Sequence, residues 1–256
     1  EMNTETEFGI VEMGANHQKE IEFLCNIAQP NYGYITNIGK AHLEGFGGIE
    51  GVLKGKTEMY QHLKENQQMI FLNREDIKLT NASKGIKSYS FSQREDADIQ
   101  IKFIDANPMV QLKFEETKIH SNLIGAYNFT NVAAAIAIGK YFKISSDSIK
   151  DAIESYIPEN NRSQILKKKD NIIIMDAYNA NPSSMQAAIE NFEKLSANTK
   201  TVFLGDMFEL GPEAKEEHQA IVSLLETTSI DLILIIGENF YRTITKSQRI
   251  KKYRTS

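Results

Sequence analysis

The chain of 256 residues is 41% hydrophobic and 25% charged, which is the composition of an ordinary globular protein. Its net charge of -5 argues against nucleic acid as the main partner, and its single cysteine, Cys25, excludes a disulfide within the chain. The sequence has no apolar run long enough to cross a bilayer and no visible signal peptide, so we expect a cytoplasmic protein without a membrane span.

The first residues alternate between strand and helix patterns. Phe8 to Met13 is an apolar run typical of a strand, Glu20 to Ala28 is an amphipathic helix ending before Pro30, and Gly33 to Ile38 is a second strand. Strands and helices in this order predict βαβ units with a parallel sheet. Both ends of the chain are polar and stop close to predicted elements, so we expect a fragment of a longer protein.

A glycine-rich loop follows the second strand, and it leads into a helix that we expect to begin near Ile49. Ligands in open α/β sheets bind beyond the carboxyl ends of strands, which is where this loop places His42. Lys54 and Lys56 are expected in the first two turns of the helix, where the helix dipole disfavours cations. Both lysines could simply be solvated. Alternatively, one amine is neutral or is modified to a carbamate, since buried lysines shift their pKa readily.

The middle of the chain changes pattern twice. After a predicted strand at 68–73 and a short helix at 76–83, polar and apolar residues alternate from 86 to 121, which indicates antiparallel strands with a turn at Asn107-Pro108. A helix is then expected from residue 126 or 127 onwards, with Asn128 and Asn131 one turn apart on one face. These amides could cap the helix and face solvent, or they could bind a purine, because an amide offers a donor and an acceptor together.

A polar connection at 158–164 marks the expected domain boundary, so we divide the chain into 1–158 and 159–256. Arg162 in this connection could be solvated, or it could clamp a phosphate when the domains close. The second half again alternates in an α/β pattern. Its predicted elements are strands at 171–175, 201–204 and 231–236, and helices at 185–195, capped by Ser183 or Ser184, and at 212–226. The first of these strands ends at Asp176, an arrangement that binds ribose in other proteins.

Six blocks together resemble the Mur ligase family, the ATP-dependent amide-bond formers of bacterial cell-wall synthesis. They are VEMGAN at 11–16, NIGKAHLEGFGG at 37–48, GKTEM at 55–59, LIGAYNFTNVAAA at 123–135, DAYNANPSSM at 176–185 and LGDMFELG at 204–211. The resemblance spans most of the chain and implies an α/β fold. It would consist of a central ATPase-like domain with a mostly parallel sheet and a small antiparallel sheet, followed by a Rossmann-like domain, both of them partial.

The resemblance also implies roles for individual residues. Glu12 and His42 match positions that hold a magnesium ion, and Lys56 matches the lysine that the family carries as a carbamate beside that ion. Asn128 and Asn131 match the adenine-contacting asparagines, while Arg162 and Asp176 match the phosphate-side and ribose-side contacts to ATP. The loop that carries Tyr178, Asn179 and Asn181 belongs to the same signature.

Within the family, the blocks are most similar to the member that joins D-alanyl-D-alanine to UDP-N-acetylmuramoyl tripeptide, with ATP and Mg²⁺. The resemblance therefore implies a monomeric ligase that contributes to cell-wall formation, cell shape and division. The substrate carboxylate would attack the γ-phosphate of ATP, and the dipeptide amine would then displace phosphate from the acyl phosphate.

Two departures and two alternatives accompany this expectation. Tyr127 lies where many members have histidine, and the sequence contains no GxxxxGKS or GxxxxGKT phosphate loop. We therefore expect the chain alone to lack the triphosphate cradle and to be inactive. The alternatives are another ligase of the superfamily, such as a folylpolyglutamate synthase, or a nucleotide-binding module without catalysis.

Overall fold

The structure is a computed structural model, and it describes residues 3–159 and 161–255. Its first half is built on a six-stranded sheet in which the strands neighbour one another in chain order. The strands are β1 (Tyr32–Tyr34), β2 (Met69–Asn73), β3 (Lys87–Ser92), β4 (Ile99–Ala106), β5 (Met109–Phe114) and β6 (Thr117–Ile124). Pairing is parallel from β1 to β4 and antiparallel from β4 to β6, which confirms the predicted change from a parallel to an antiparallel sheet.

Seven helices accompany this sheet in the described part of the chain. They are α1 (Glu20–Ala28), α2 (Leu43–Phe46), α3 (Ile49–Lys56), α4 (Glu58–Glu65), α5 (Ile77–Ala82), α6 (Phe129–Tyr141) and α7 (Ser146–Ser155). Local capping explains where two of them begin: the Asp76 carboxylate accepts the Leu79 N–H at 3.0 Å, and the Ser145 hydroxyl accepts the Ser148 N–H at 3.2 Å. None of the helices in the described residues is long and apolar enough to cross a membrane.

Two strand predictions in this half are corrected. Residues 8–13 form no strand, and the side chain of Ile10 is almost fully exposed, because the described residues provide no neighbouring strand to which their backbone could bond. β3 lies in the stretch predicted to be antiparallel, yet it pairs in parallel with both β2 and β4. Alternation of polar and apolar residues specifies which faces a strand exposes and leaves its direction open.

The helix expected from Ile49 does begin there, but it ends at Lys56, and α4 starts after Thr57. Lys54 and Lys56 therefore lie in the last turn of α3, where the helix dipole favours a cation. The predicted conflict between these lysines and the helix dipole is wrong, since it assumed one continuous helix.

The second half begins with an antiparallel pair of strands, β7 (Gln164–Lys168) and β8 (Asn171–Met175), of which the sequence analysis identified only the second. A three-stranded parallel sheet follows in the order β11-β10-β9. Its strands and the accompanying helices are β9 (Thr201–Gly205), β10 (Leu232–Ile236), β11 (Ile250–Tyr253), α8 (Pro182–Lys194), α9 (Ala214–Thr227) and α10 (Glu238–Tyr241). α8 is capped by Asn181 and not by a serine; Ser184 instead completes a capping box with it.

One hydrophobic cluster joins the two halves. Leu43, Phe46 and Val52 from the first half are buried together with residues of the second half, among them Met207 and Leu210. The glycine-rich loop before α3 therefore packs against the second half of the chain, and this contact determines what surrounds His42.

Candidate active site

His42 lies directly before α2, in the left-handed backbone region with a φ of 54°. Its imidazole Nδ1 pairs with the carboxylate of Glu209, which belongs to the second half. The two backbones also meet, because the Glu44 N–H donates to the Glu209 carbonyl at 3.2 Å. The predicted metal ligand His42 is thus held at a contact between the two halves.

Lys56 is the last residue of α3, and its ammonium donates to the backbone carbonyl of Asn37 at 3.0 Å. Burial lowers the pKa of Lys56, because the surrounding protein replaces water that would solvate the charged form. A lowered pKa raises the share of neutral amine, which is the form that reacts with carbon dioxide. The carbamate therefore remains a chemically reasonable prediction, although its original argument from the helix dipole does not hold.

Glu12 lies in the irregular segment before α1 and is exposed, and its carboxylate makes no hydrogen bond or ion pair in the described part of the chain. Within residues 3–159 and 161–255, no three His, Cys, Asp or Glu side chains are grouped closely enough to hold a metal ion. Glu12 and His42 therefore do not belong to a ready-made cluster of three such side chains, and their grouping with Lys56 around a metal stays a prediction. Magnesium is commonly held by one or two protein groups with phosphates and waters, so a carboxylate and an imidazole with unoccupied donor atoms still fit it.

The two asparagines of the predicted adenine contact are neighbours, as their spacing predicts. The Asn131 side-chain amide donates to the side-chain oxygen Oδ1 of Asn128 at 3.0 Å, and the Asn128 side-chain amide donates to the backbone carbonyl of Ile124 at 2.8 Å. Asn128 is buried and Asn131 is exposed, so the exposed amide is the one that a base could approach first. Neither residue caps α6 through its side chain.

Ser163 is a residue that the sequence analysis missed. It is buried, has a φ of 52°, and accepts or shares hydrogen bonds from Tyr127 Oη at 2.8 Å and from the Asn128 amide at 3.4 Å. A lone serine in a polar connection carries no signal of its own. Only the fold shows that the turn at 161–163, called the boundary turn below, lies against the predicted adenine side.

The turn also reaches the predicted ribose-side acid. Packing around the carboxyl raises the pKa of Asp176, while the Ser163 backbone N–H and the Arg162 charge act in the opposite direction. The Arg162 guanidinium lies 4.4 Å from the centre of the Tyr178 ring, as in a cation–π contact. Arg162 is therefore near both Asp176 and Tyr178, and the contact of these residues with a nucleotide stays a prediction.

Two further predicted residues make local contacts. The side-chain oxygen Oδ1 of Asn181 accepts the Ser184 N–H at 3.0 Å, and the side-chain oxygen Oδ1 of Asn179 accepts the Ala180 N–H at 2.9 Å. Both side-chain oxygens thus stabilise the loop before α8. A ligand could therefore bind these residues through their amide nitrogens. Asp206 also makes a local contact: its carboxylate accepts the backbone N–H groups of Asn239 and Phe240, in the first turn of α10, at 2.9 Å each.

Comparisons with known proteins identify the family of this chain. The sequence model of the Mur ligase middle domain matches residues 1–139, and that of the Mur ligase glutamate ligase domain matches residues 161–255. The UDP-N-acetylmuramoyl-tripeptide--D-alanyl-D-alanine ligase of Bacillus subtilis is 31% identical over 240 residues, which is 93% of this chain and 52% of the relative.

Solved structures show the same similarity. The chain superposes on a crystal structure of MurF from Acinetobacter baumannii with a TM-score of 0.88 and 27% identity, covering 99% of this chain and 57% of that one. The MurF ligase of Thermotoga maritima in complex with ADP gives a TM-score of 0.79 and 26% identity over 94% of this chain and 56% of that one. The chain spans about half the length of the curated relatives it matches. Its two matched regions and its fold place the chain in the Mur ligase family.

Proposed function

We propose that this chain forms part of an ATP-dependent carboxylate–amine ligase that joins D-alanyl-D-alanine to UDP-N-acetylmuramoyl tripeptide. The observation that carries the proposal is the boundary turn, where one buried serine contacts Asn128 from the first half and Asp176 from the second. A nucleoside bound there would contact both halves at once. The names of the relatives supply the dipeptide and the tripeptide, and the Thermotoga maritima structure supplies the adenine nucleotide.

The proposed reaction has two steps that conserve atoms and charge. An oxygen of the tripeptide carboxylate attacks the γ-phosphorus of ATP, the bond to the bridging oxygen breaks, and ADP leaves with that electron pair. The dipeptide amine then attacks the acyl carbon, the bond from carbon to the phosphate oxygen breaks, and phosphate leaves while the amine loses a proton.

The chain's own residues would orient these reactants. Asn131 would offer its exposed amide to the base and Asp176 would accept from the ribose. Arg162, whose charge acts on Asp176, would meet the phosphates. Glu12, His42 and the Lys56 carbamate are the groups that would hold Mg²⁺, which offsets charge on the phosphoryl oxygens when bound. Since ATP and the UDP-linked precursor are cytoplasmic compounds, we place this reaction in the cytoplasm.

The test is phosphate release by the protein encoded by the complete gene, with ATP, UDP-N-acetylmuramoyl tripeptide and D-alanyl-D-alanine. We expect release to require all three, and the D176N and N131A variants to raise the KM for ATP. Release that accepts glutamate in place of the dipeptide would favour a folylpolyglutamate synthase-like ligase. Binding of ADP without turnover would favour a nucleotide-binding module.

A further inference from the structure

We propose that Glu209 is a positioning residue for His42: it fixes the imidazole as the Nδ1–H tautomer and leaves Nε2 as the donor atom for the divalent cation. The inference rests on the proposed function, because it assigns His42 to that cation. It adds a residue of the second half to a site whose expected ligands all belong to the first half.

The chemistry of the pair determines the tautomer. An ionised carboxylate can only accept a hydrogen bond, so the His42 Nδ1 facing Glu209 must carry the proton. A neutral imidazole has one N–H, so Nε2 then has a lone pair. The His42 side chain is 29% exposed, which leaves room for a ligand to reach the ring.

Packing on both sides fixes this contact. Leu43 and Phe46, which follow His42, and Met207 and Leu210, which flank Glu209, are each at most 3% exposed and belong to one hydrophobic cluster. The loops cannot separate without exposing these side chains, so the Glu209 carboxylate is held against the imidazole by the burial of its neighbours.

The loop that carries Glu209 is also anchored within its own half. The Met207 N–H donates to Nε2 of the buried His218 at 3.0 Å. A Cβ at Gly211 would lie 3.1 Å from the Glu44 Cβ, so the two backbones approach closely just after Glu209. A carboxylate on such a loop has a defined position, as a group that orients a ligand requires.

The consequence is a link between domain contact and metal binding. A carboxylate that accepts the second ring N–H of a histidine orients the ring and makes its other nitrogen more basic. Because Glu209 and His42 lie in different halves, His42 has its ligand geometry only while the halves are in contact. Separation of the halves would remove this support.

The first test measures the tautomer directly, by nitrogen-15 NMR of the histidine rings at about pH 8, with the His42 signals assigned from the H42Q variant. The wild-type chain should show a protonated Nδ1 and an unprotonated Nε2. E209Q keeps an acceptor oxygen and should retain this tautomer, whereas E209A should lose it. E217Q is the matched control, because it weakens the Lys40–Glu217 ion pair of the same interface without touching His42.

The second test measures the Mn²⁺ affinity of the protein encoded by the complete gene, in the presence of ATP, by the broadening of the His42 signals. E209A should bind Mn²⁺ at least roughly tenfold more weakly, the usual effect of removing such a partner, while E217Q should not differ from the wild type. An unprotonated Nδ1 in the wild type, or equal Mn²⁺ affinity in E209A and the wild type, overturns the inference and leaves the proposed function standing. Failure of the wild type to bind Mn²⁺ at His42 overturns both.

Discussion

Burial of the Lys56 side chain disfavours the charged form of its ammonium group. Its pKa is lower in the folded chain than the ordinary value of 10.5, because burial disfavours the charged form. Between the folded and the ordinary pKa the unfolded chain binds more protons, so the free energy of unfolding rises with pH over that range. Below the folded pKa, the full cost of burying the charge is present.

This predicts how the K56M variant differs from the wild type. In buffers freed of carbon dioxide, so that the amine stays unmodified, the wild type should become more stable relative to K56M as the pH rises towards 10.5. Urea unfolding midpoints at a series of pH values measure the difference. K54M, which removes an exposed lysine from the same helix, controls for the loss of a lysine as such. A difference between wild type and K56M that is constant with pH would contradict the expectation.

Residue spacing predicted some side-chain neighbours and missed others. Asn128 and Asn131 are three positions apart on a helix, so their contact follows from helical geometry alone. Glu209 and His42 are 167 positions apart, and their contact depends on how two loops pack. Both residues lie in sequence blocks typical of the family, yet no local pattern indicates that one faces the other.

At the scale of elements, the sequence predicts most helices and strands. It fails where formation of the element depends on a partner strand that is distant in sequence. Asp76 and Ser145 carry the start signals of their helices within their own turns, so α5 and α7 were predictable. Residues 8–13 have the apolar pattern of a strand, but a strand forms only with a partner. The break of the helix at Thr57 was missed because no proline marks it and Gly55, two residues earlier, lies within α3.

The contact between α6 and the boundary turn gives a second prediction. Tyr127 Oη and Ser163 Oγ share a hydrogen bond of 2.8 Å in a part-buried place. Y127F and S163A should each lower the free energy of unfolding by about 1 kcal/mol, because each removes this bond. S163A also removes the acceptor of the longer, 3.4 Å contact from the Asn128 amide, so its loss should be slightly the larger of the two. The double variant should cost little more than either alone, giving a coupling energy of about 1 kcal/mol.

Chemical denaturation of the four proteins of this cycle provides the measurement. S155A is a suitable control, since the Ser155 hydroxyl is exposed and donates only to the Ala152 carbonyl in its own helix. Fully additive losses for Y127F and S163A would show that the two hydroxyl groups act independently, and the boundary turn would then not be tied to α6 through this bond.

For the whole molecule, the shared hydrophobic cluster makes the two halves depend on each other. Phe46 belongs to the first half, is 3% exposed, and packs in a cluster made mainly of second-half residues. The local backbone is shaped to receive its ring: a Cβ at Gly55 would lie 2.4 Å from Phe46 Cε1. Such close approach is possible only because Gly55 has no side chain.

The F46A variant should therefore both weaken the chain and uncouple its halves. Removing a buried phenylalanine costs about 3–5 kcal/mol, and here the loss falls on the contact that joins the halves. Calorimetry should show one unfolding transition for the wild type and two for F46A.

F114A is the matched control, because Phe114 is equally buried but belongs to a cluster within the first half. It should lower the stability of the first half without loosening the contact between the halves. A single, lower transition for F46A would mean that contacts other than this cluster hold the halves together, and the link between domain contact and His42 geometry would then need another origin.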